Sequence, residues 1–375
     1  MQPTLHQIPL ASLTSGDTLF LQAYQFRGQQ PGKKVYIQSN LHGAEIAGNA
    51  VIYELIEFLR SLASDQLTGE IWLVPLCNPL GSNQRTHHFS SGRFNPYDGK
   101  DWNRIFWDYE QEGEDLDDFA ERHLEDDPLT LQQQYRQCIA EAFGQIKEAI
   151  ASPQGVPFRE LYRYRLQSLC LDADYLIDLH SSSNQGTNYL YYFAQREESA
   201  RLFLLPAGIL LDNYDGDAFD EAFIKPWLAL EQRLAERGRP IQFDIEAWTL
   251  ELGSGLRIQP ESVAKGVRGI KNYLAAKQVL ALPDFPVDVP SYHDLRFTTS
   301  SKLARYYAPE GGLVQPLVSL GALVDAGQPL YRLLSFDKRQ PQPQAIVVEA
   351  EHTGLVFDMA MNQAVNQGEY VLGIL

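Results

Sequence analysis

"KVYIQSNLHGAEIAG" (residues 34–48) reads as a strand that passes through a turn into a helix. Val35, Tyr36 and Ile37 form an unbroken apolar run of the kind a buried strand carries. From Ile46 to Leu62, apolar residues recur at helical spacing, at Val51, Leu55, Ile56 and Leu59. Between the two elements the chain places His42 and Glu45 around Gly43. In a turn entering a helix, residues i and i+3 share one face, so the imidazole and the carboxylate fall side by side.

The same alternation continues outward. "TLFLQAYQF" (18–26), "EIWLVPL" (70–76), "DYLIDLH" (174–180), "NYLYYF" (188–193) and "FDIEAWTLELG" (243–253) read as strands, and 219–237 and 261–280 carry helical patterns. Strands alternating with helices predict an α/β domain with a mostly parallel or mixed central sheet flanked by helices. "NPLGSNQRTHHFSSGRFNPYDGKD" (78–101) is a polar loop, and loops this long inside a compact domain are usually functional. Residues 107–170 read as an acidic and then amphipathic helical insertion.

"LALPDFPVDVPSY" (280–292) holds three prolines and marks a linker, placed at 283–294. It separates a domain of residues 1–282 from a small C-terminal all-β domain of residues 295–375. In the latter, "GGLVQPLVSLGALVDAGQPLYRLL" (311–334) is echoed by "TGLVFDMAMNQAVNQGEYVLGIL" (353–375). Two such hairpin units predict a barrel-sandwich on a pseudo-twofold axis. The pattern resembles biotinyl and lipoyl carrier domains. Their modified lysine is missing, and the matching tip reads Met359-Ala360-Met361. No swinging-arm carrier is expected.

Composition bounds the function. The net charge of −17 argues against a nucleic-acid or anionic-membrane partner. Residues 108–127 hold eleven acids and one arginine, so most of the acidity is local and reads as a solvated segment. The N-terminus lacks the pattern of a signal peptide, and no apolar run is long enough to span a membrane. Cys77, Cys138 and Cys170 are scattered and odd in number, which points to a reducing, cytoplasmic location and to no cysteine metal site.

Hydrolytic zinc sites use two histidines and one glutamate and leave a fourth position for water. His42 and Glu45 are candidates for two of these ligands. His180 closes the strand 174–180, where open α/β sheets bind ligands, and is the candidate for the third. A water on zinc still needs a proton acceptor. Glu251, at the end of its strand beside Gly253, is the best candidate, with Glu246 as competitor. In the long loop, Asn103 and Arg104 are suited to gripping a substrate carboxylate. Arg93 suits the same task, the stabilisation of a developing oxyanion, or a surface pairing with Asp98 or Asp101. Asp178 is placed to orient His180. The adjacent His87 and His88 point opposite ways in extended chain and do not suggest a second metal. His6, His123, His293 and His352 are read as structural.

The ordered set "HGAE", "NP…DWNRIF", "DLHSSS" and "ELG" resembles the succinylglutamate desuccinylase/aspartoacylase family, a branch of the zinc carboxypeptidase superfamily. The resemblance implies a zinc carboxypeptidase-like fold with a C-terminal β domain and one Zn2+ per chain on His42, Glu45 and His180. It implies Glu251 as general base, Asn103 and Arg104 as the pair binding the substrate carboxylate, and Arg93 as the carbonyl-polarising arginine, with Arg85 as its rival. The implied activity is hydrolysis of the amide bond of a small N-acyl amino acid or related carboxylate-bearing substrate, possible on esters as well. A carboxypeptidase acting on peptides and a non-catalytic metal- or ligand-binding protein on the same fold are the alternatives. A homo-oligomer is compatible with the sequence.

Overall fold

A computed structural model describes residues 1–85, 91–113, 115–291 and 295–375. His87, His88, His293 and part of the expected linker lie outside the described residues. In chain order, the first ten strands are β1 (Thr4–Ser12), β2 (Thr18–Arg27), β3 (Gln30–Ser39), β4 (Thr68–Val74), β5 (Tyr175–Ser182), β6 (Gln185–Gly186), β7 (Asn188–Tyr192), β8 (Ala207–Leu210), β9 (Glu246–Ser254) and β10 (Arg296–Thr299). Among the described residues, nine of these form one mixed sheet in the order β1-β2-β4-β3-β5-β9-β7-β8-β10. Its centre, β4-β3-β5-β9, is parallel.

The central strands are apolar without interruption because both faces are covered. Val35, Ile37, Tyr175 and Ile177 pack with Val51, Leu55, Ile270 and Leu274 of the helices Ala47–Ser61 and Pro260–Ala276. Tyr36 and Leu176 point the other way. They join Phe219, Ile224 and Leu230 of the helix Phe219–Glu236.

The helices that follow the acidic stretch belong to that second layer, while most of the described acids of 108–127 are exposed. Leu131, Tyr135, Ile139 and Phe143 of the helix Pro128–Ala151, and Tyr162 and Leu166 of Phe158–Gln167, are buried in the same core. Several of its acids are helix caps. Asp115 accepts from the amides of Asp117 and Asp118, and Asp127 from those of Leu129 and Thr130. A carboxylate at this position satisfies N–H groups that have no partner within the helix.

The remaining strands are β11 (Ala304–Tyr307), β12 (Gly312–Pro316), β13 (Leu323–Val324), β14 (Pro329–Ser335), β15 (Gln344–Glu349), β16 (Gly354–Met359), β17 (Ala364–Val365) and β18 (Tyr370–Ile374). They form two antiparallel sheets, β11-β18-β16-β13 and β15-β14-β12-β17, closed over a core that includes Val314, Leu330, Leu333, Val356 and Leu372. The repeat has a structural meaning. The short strand of each unit pairs with the long first strand of the other, β17 with β12 and β13 with β16.

Two connections cross between this β module and the large sheet. Arg296–Thr299, grouped by the sequence pattern with the C-terminal β residues, instead pair with β8 in the large sheet. In return, β6 leaves the region after His180 to pair with β16. Among the described residues, no helix is long and apolar enough to cross a membrane.

Candidate active site

β3, β5 and β9 run in the same direction, so their carboxyl ends meet at one edge of the sheet. The turn after β3 is built by its own polar groups. Asn40 takes a left-handed conformation at φ 69°, which asparagine tolerates. Its amide donates to the carbonyls of His42 (3.1 Å) and Gly43 (3.2 Å). A side chain at Gly43 would begin 2.1 Å from the Gly81 carbonyl oxygen, so only glycine fits between the two ligand candidates. The helix then starts at Ala47, leaving His42 and Glu45 in the turn ahead of it.

His42, Glu45 and His180 come together here. All three are buried, and one potential ligand atom from each lies within 4.8 Å of the others. Glu45 sits between the imidazoles. Its Oε1 is 2.9 Å from His42 Nδ1 and its Oε2 is 2.7 Å from His180 Nδ1. Both Nδ1 atoms therefore face inward, and both Nε2 atoms face an outer carboxylate. His42 Nε2 is 2.9 Å from Asp101 Oδ1, and His180 Nε2 is 3.1 Å from Asp178 Oδ2. The second contact is an ion-pair separation without hydrogen-bond alignment, since neither atom has a hydrogen-bond partner among the described residues.

The electrostatics favour a cation at the centre. Burial alone would raise Glu45, but the two imidazoles override it and hold the carboxylate well below its usual range. Burial alone would lower His180, but Asp178 and Glu45 override it and raise the imidazole well above its ordinary value. Asp101 also works against burial and is brought down to about 2 by its bond to His42 and by Arg93. Two inward nitrogens, one carboxylate and an outer carboxylate behind each ring form a donor set suited to a divalent ion.

Glu251 is the register partner of His180 on β9 and lines the same cleft. Its Oε2 is buried and has no hydrogen-bond partner among the described residues. Burial, then the charge of Glu45, pushes this carboxyl up to about 7. Glu246, its competitor in the sequence, lies at the other end of the strand. It is bonded to Tyr273 Oη (2.6 Å) and Lys277 Nζ (2.7 Å).

The long loop folds back on itself through a bridge between Phe94 and Asp101, and this sets Arg93 beside Asp101. Arg93 Nε is 2.9 Å from Asp101 Oδ2, and its Nη1 donates to Ser183 Oγ at 3.2 Å and lies 3.6 Å from Glu45 Oε1. Asp98 pairs instead with Arg159 (3.0 Å). Arg85 is exposed and, among the described residues, donates only to the carbonyls of Ser82 and Gln84. Asn103 and Arg104 line the cleft. Asn103 Oδ1 accepts from the amide of Phe219 (2.8 Å), which anchors the loop to the start of the helix Phe219–Glu236. The Arg104 guanidinium donates to the Asn103 carbonyl and, among the described residues, has no carboxylate within ion-pair distance.

The cleft has a volume of about 660 Å³. Part of its lining comes from the C-terminal module. Arg305, Tyr307, Phe357, Asp358 and Tyr370 of that module line the cleft, together with Asp220 and Glu221 of the helix Phe219–Glu236. No motif marks these residues, because only tertiary folding brings them to the cleft. His6, stacked on Trp72, and His123, paired with Asp126, stand outside it.

Residues 31–134 match the succinylglutamate desuccinylase/aspartoacylase catalytic domain. No curated protein matches the chain. Among solved structures, a family protein from Shewanella amazonensis SB2B is 32% identical, with a TM-score of 0.87 over 99% of this chain and 98% of its own. One from Shewanella frigidimarina NCIMB 400 is 29% identical, with a TM-score of 0.88 over 100% of this chain and 97% of its own. The ectoine utilization protein EutE (DoeB) from Ruegeria pomeroyi, 16% identical over 100% of this chain and 95% of its own, shares the fold at a TM-score of 0.67. The full-length likeness to the first of these, with the matched catalytic domain, shows that the chain belongs to the succinylglutamate desuccinylase/aspartoacylase family.

Proposed function

We propose that the protein is a zinc-dependent deacylase that hydrolyses the amide bond of a small N-acyl amino acid or a related carboxylate-bearing substrate. The observation that carries this reading is the meeting of His42, Glu45 and His180 beside Glu251, at the floor of a cleft that Arg104 also lines. His42 and His180, through Nδ1, and Glu45, through its carboxylate, would hold one zinc ion. When bound, such an ion polarises the scissile carbonyl and makes water a stronger acid.

The chain's own groups supply the rest. Glu251 accepts the proton of the attacking water and returns it to the leaving nitrogen, so one carboxyl serves as base and then as acid. A buried carboxyl that lines the cleft, with one oxygen unpaired among the described residues, can serve both directions of transfer. Arg93 stabilises negative charge on the carbonyl oxygen. Arg104 and Asn103 hold the substrate's free carboxylate and so fix the amide relative to Glu251. Asp101 and Asp178 orient the two imidazoles. The scattered thiols support a reducing, cytoplasmic setting.

The test is a substrate panel on zinc-loaded enzyme, comparing N-acyl amino acids with peptides. Turnover of the N-acyl amino acids is expected. Turnover of peptides alone would make the protein a carboxypeptidase, and bound zinc without turnover of any amide or ester would make it a binding protein.

A further inference from the structure

We propose that Asp358, from the C-terminal β module, is a positioning residue for the segment that follows His180. Its activity readout rests on the deacylase reading; its structural readout does not.

Ser183 lies at the heart of the site. Its Oγ donates to Glu45 Oε1 and accepts from Arg93 Nη1, both at 3.2 Å, so one hydroxyl ties a candidate ligand to the candidate carbonyl-polarising group. The segment carrying Ser183 is held on two sides. On the inner side, the amide of Gly255 donates to the Ser182 carbonyl at 2.6 Å. On the outer side stands Asp358. Ser182 Oγ donates to Asp358 Oδ2, and Asn184 Nδ2 donates to Asp358 Oδ1 at 3.3 Å. Ser183 is thus flanked by two residues fastened to one carboxylate. Backbone pairing extends the seam, with Gly186 opposite Asp358 and the amide of Thr187 donating to Phe357 O at 2.9 Å.

Two features tie the carboxylate to this segment. Asp358 is only 7% exposed, and a buried carboxylate destabilises a fold unless donors satisfy it; Tyr370 of its own module supplies one donor, and Ser182 and Asn184 supply the other two. A purely structural seam would be served as well by an apolar side chain of similar size. Gly186 also keeps the corner open. A Cβ there would lie 2.7 Å from Ser182 Cβ and 3.6 Å from Asp358 Oδ2. The β module thereby sets Ser183, and through it the relative placement of Glu45 and Arg93.

The experiment compares wild type, Asp358→Ala and Asp358→Asn as full-length, zinc-loaded proteins, assayed well below their melting temperatures. Hydrogen exchange of residues 181–187 is read together with zinc content, kcat and KM. Asp358→Ala is expected to keep its zinc, to raise exchange in this segment by about tenfold, and to lower kcat by about ten- to a hundredfold. KM should stay within about threefold of wild type. Asp358→Asn keeps one oxygen to accept from Ser182 but turns an NH2 donor toward the Asn184 amide donor, so it should recover part of both losses. Wild-type exchange in Asp358→Ala, or exchange raised equally across the whole C-terminal module, would overturn the proposal. If Asp358→Ala does not fold, Ser182→Ala, which removes one of the two bonds and leaves Asn184 on Asp358, must still show a local rise in exchange; its absence overturns the proposal equally. A wild-type enzyme inactive on every amide would refute the deacylase reading, while the exchange comparison would still decide the role of Asp358.

Discussion

His180 and Glu251 face each other as register partners on the adjacent parallel strands β5 and β9. Neighbouring strands lie about 4.8 Å apart, so the two side chains leave the sheet edge within reach of one reacting centre. Their environments differ in kind. Carboxylates surround the imidazole, whereas Glu251 is buried with one oxygen unpaired among the described residues. The first is a setting for a metal ligand and the second for a proton carrier.

These roles separate experimentally. Elemental analysis of His180→Ala should show the loss of most of its zinc. Glu251→Gln, which keeps size and shape, should retain zinc and lose turnover by about 10²–10⁴-fold. A glutamine variant with near-native kcat would remove Glu251 from the mechanism.

The two arginines weighed in the long loop part in the same way. Arg93 touches Asp101 and Ser183 and lies close to Glu45, whereas Arg85 is exposed and, among the described residues, bonded only to nearby backbone carbonyls. Steady-state kinetics should show Arg93→Ala lowering kcat by about 10²–10³-fold. Arg85→Ala should stay within about twofold of wild type, as surface substitutions usually do. Equal effects in the two variants would count against Arg93 as the polarising group.

The contrast between these arginines also shows what a sequence can and cannot convey. His42, Glu45, His180 and Glu251 are legible because each sits where an apolar run stops, and a parallel sheet gathers such ends at one edge. The contact between Arg93 and Asp101 depends on how a loop folds back, and the local sequence does not express it. Arg305, Asp358 and Tyr370 are further from view. They reach the cleft through the pairing of β6 with β16, a contact between segments about 170 residues apart. The acidic stretch 108–127 is legible only in part. Most of its described acids are exposed, as a solvated surface requires, but the burial of Phe119 among them and the capping by Asp115 and Asp127 are not expressed in the charge pattern.

Glu221 yields a prediction about stability. It lines the cleft at 9% exposure, and burial, then the charge of Asp220, pushes its carboxyl from 4.5 up to about 7. The Gly216 amide and Arg104 pull the other way without prevailing. Between these two pH values the folded protein keeps a proton that the unfolded chain has released. Stability changes with pH as the protons bound by the unfolded chain minus those bound by the native state, and here that difference is negative. Glu221 therefore lends its full stabilisation below about pH 4.5 and loses it as pH rises to about 7. Glu221→Gln keeps an acceptor for Gly216 but cannot titrate. Urea midpoints taken across this range, with chelator present to remove proton-linked metal binding, should show the variant gaining on wild type up to about pH 7 and then holding a constant lead. A difference independent of pH would mean that the Glu221 carboxyl titrates as it does in the unfolded chain.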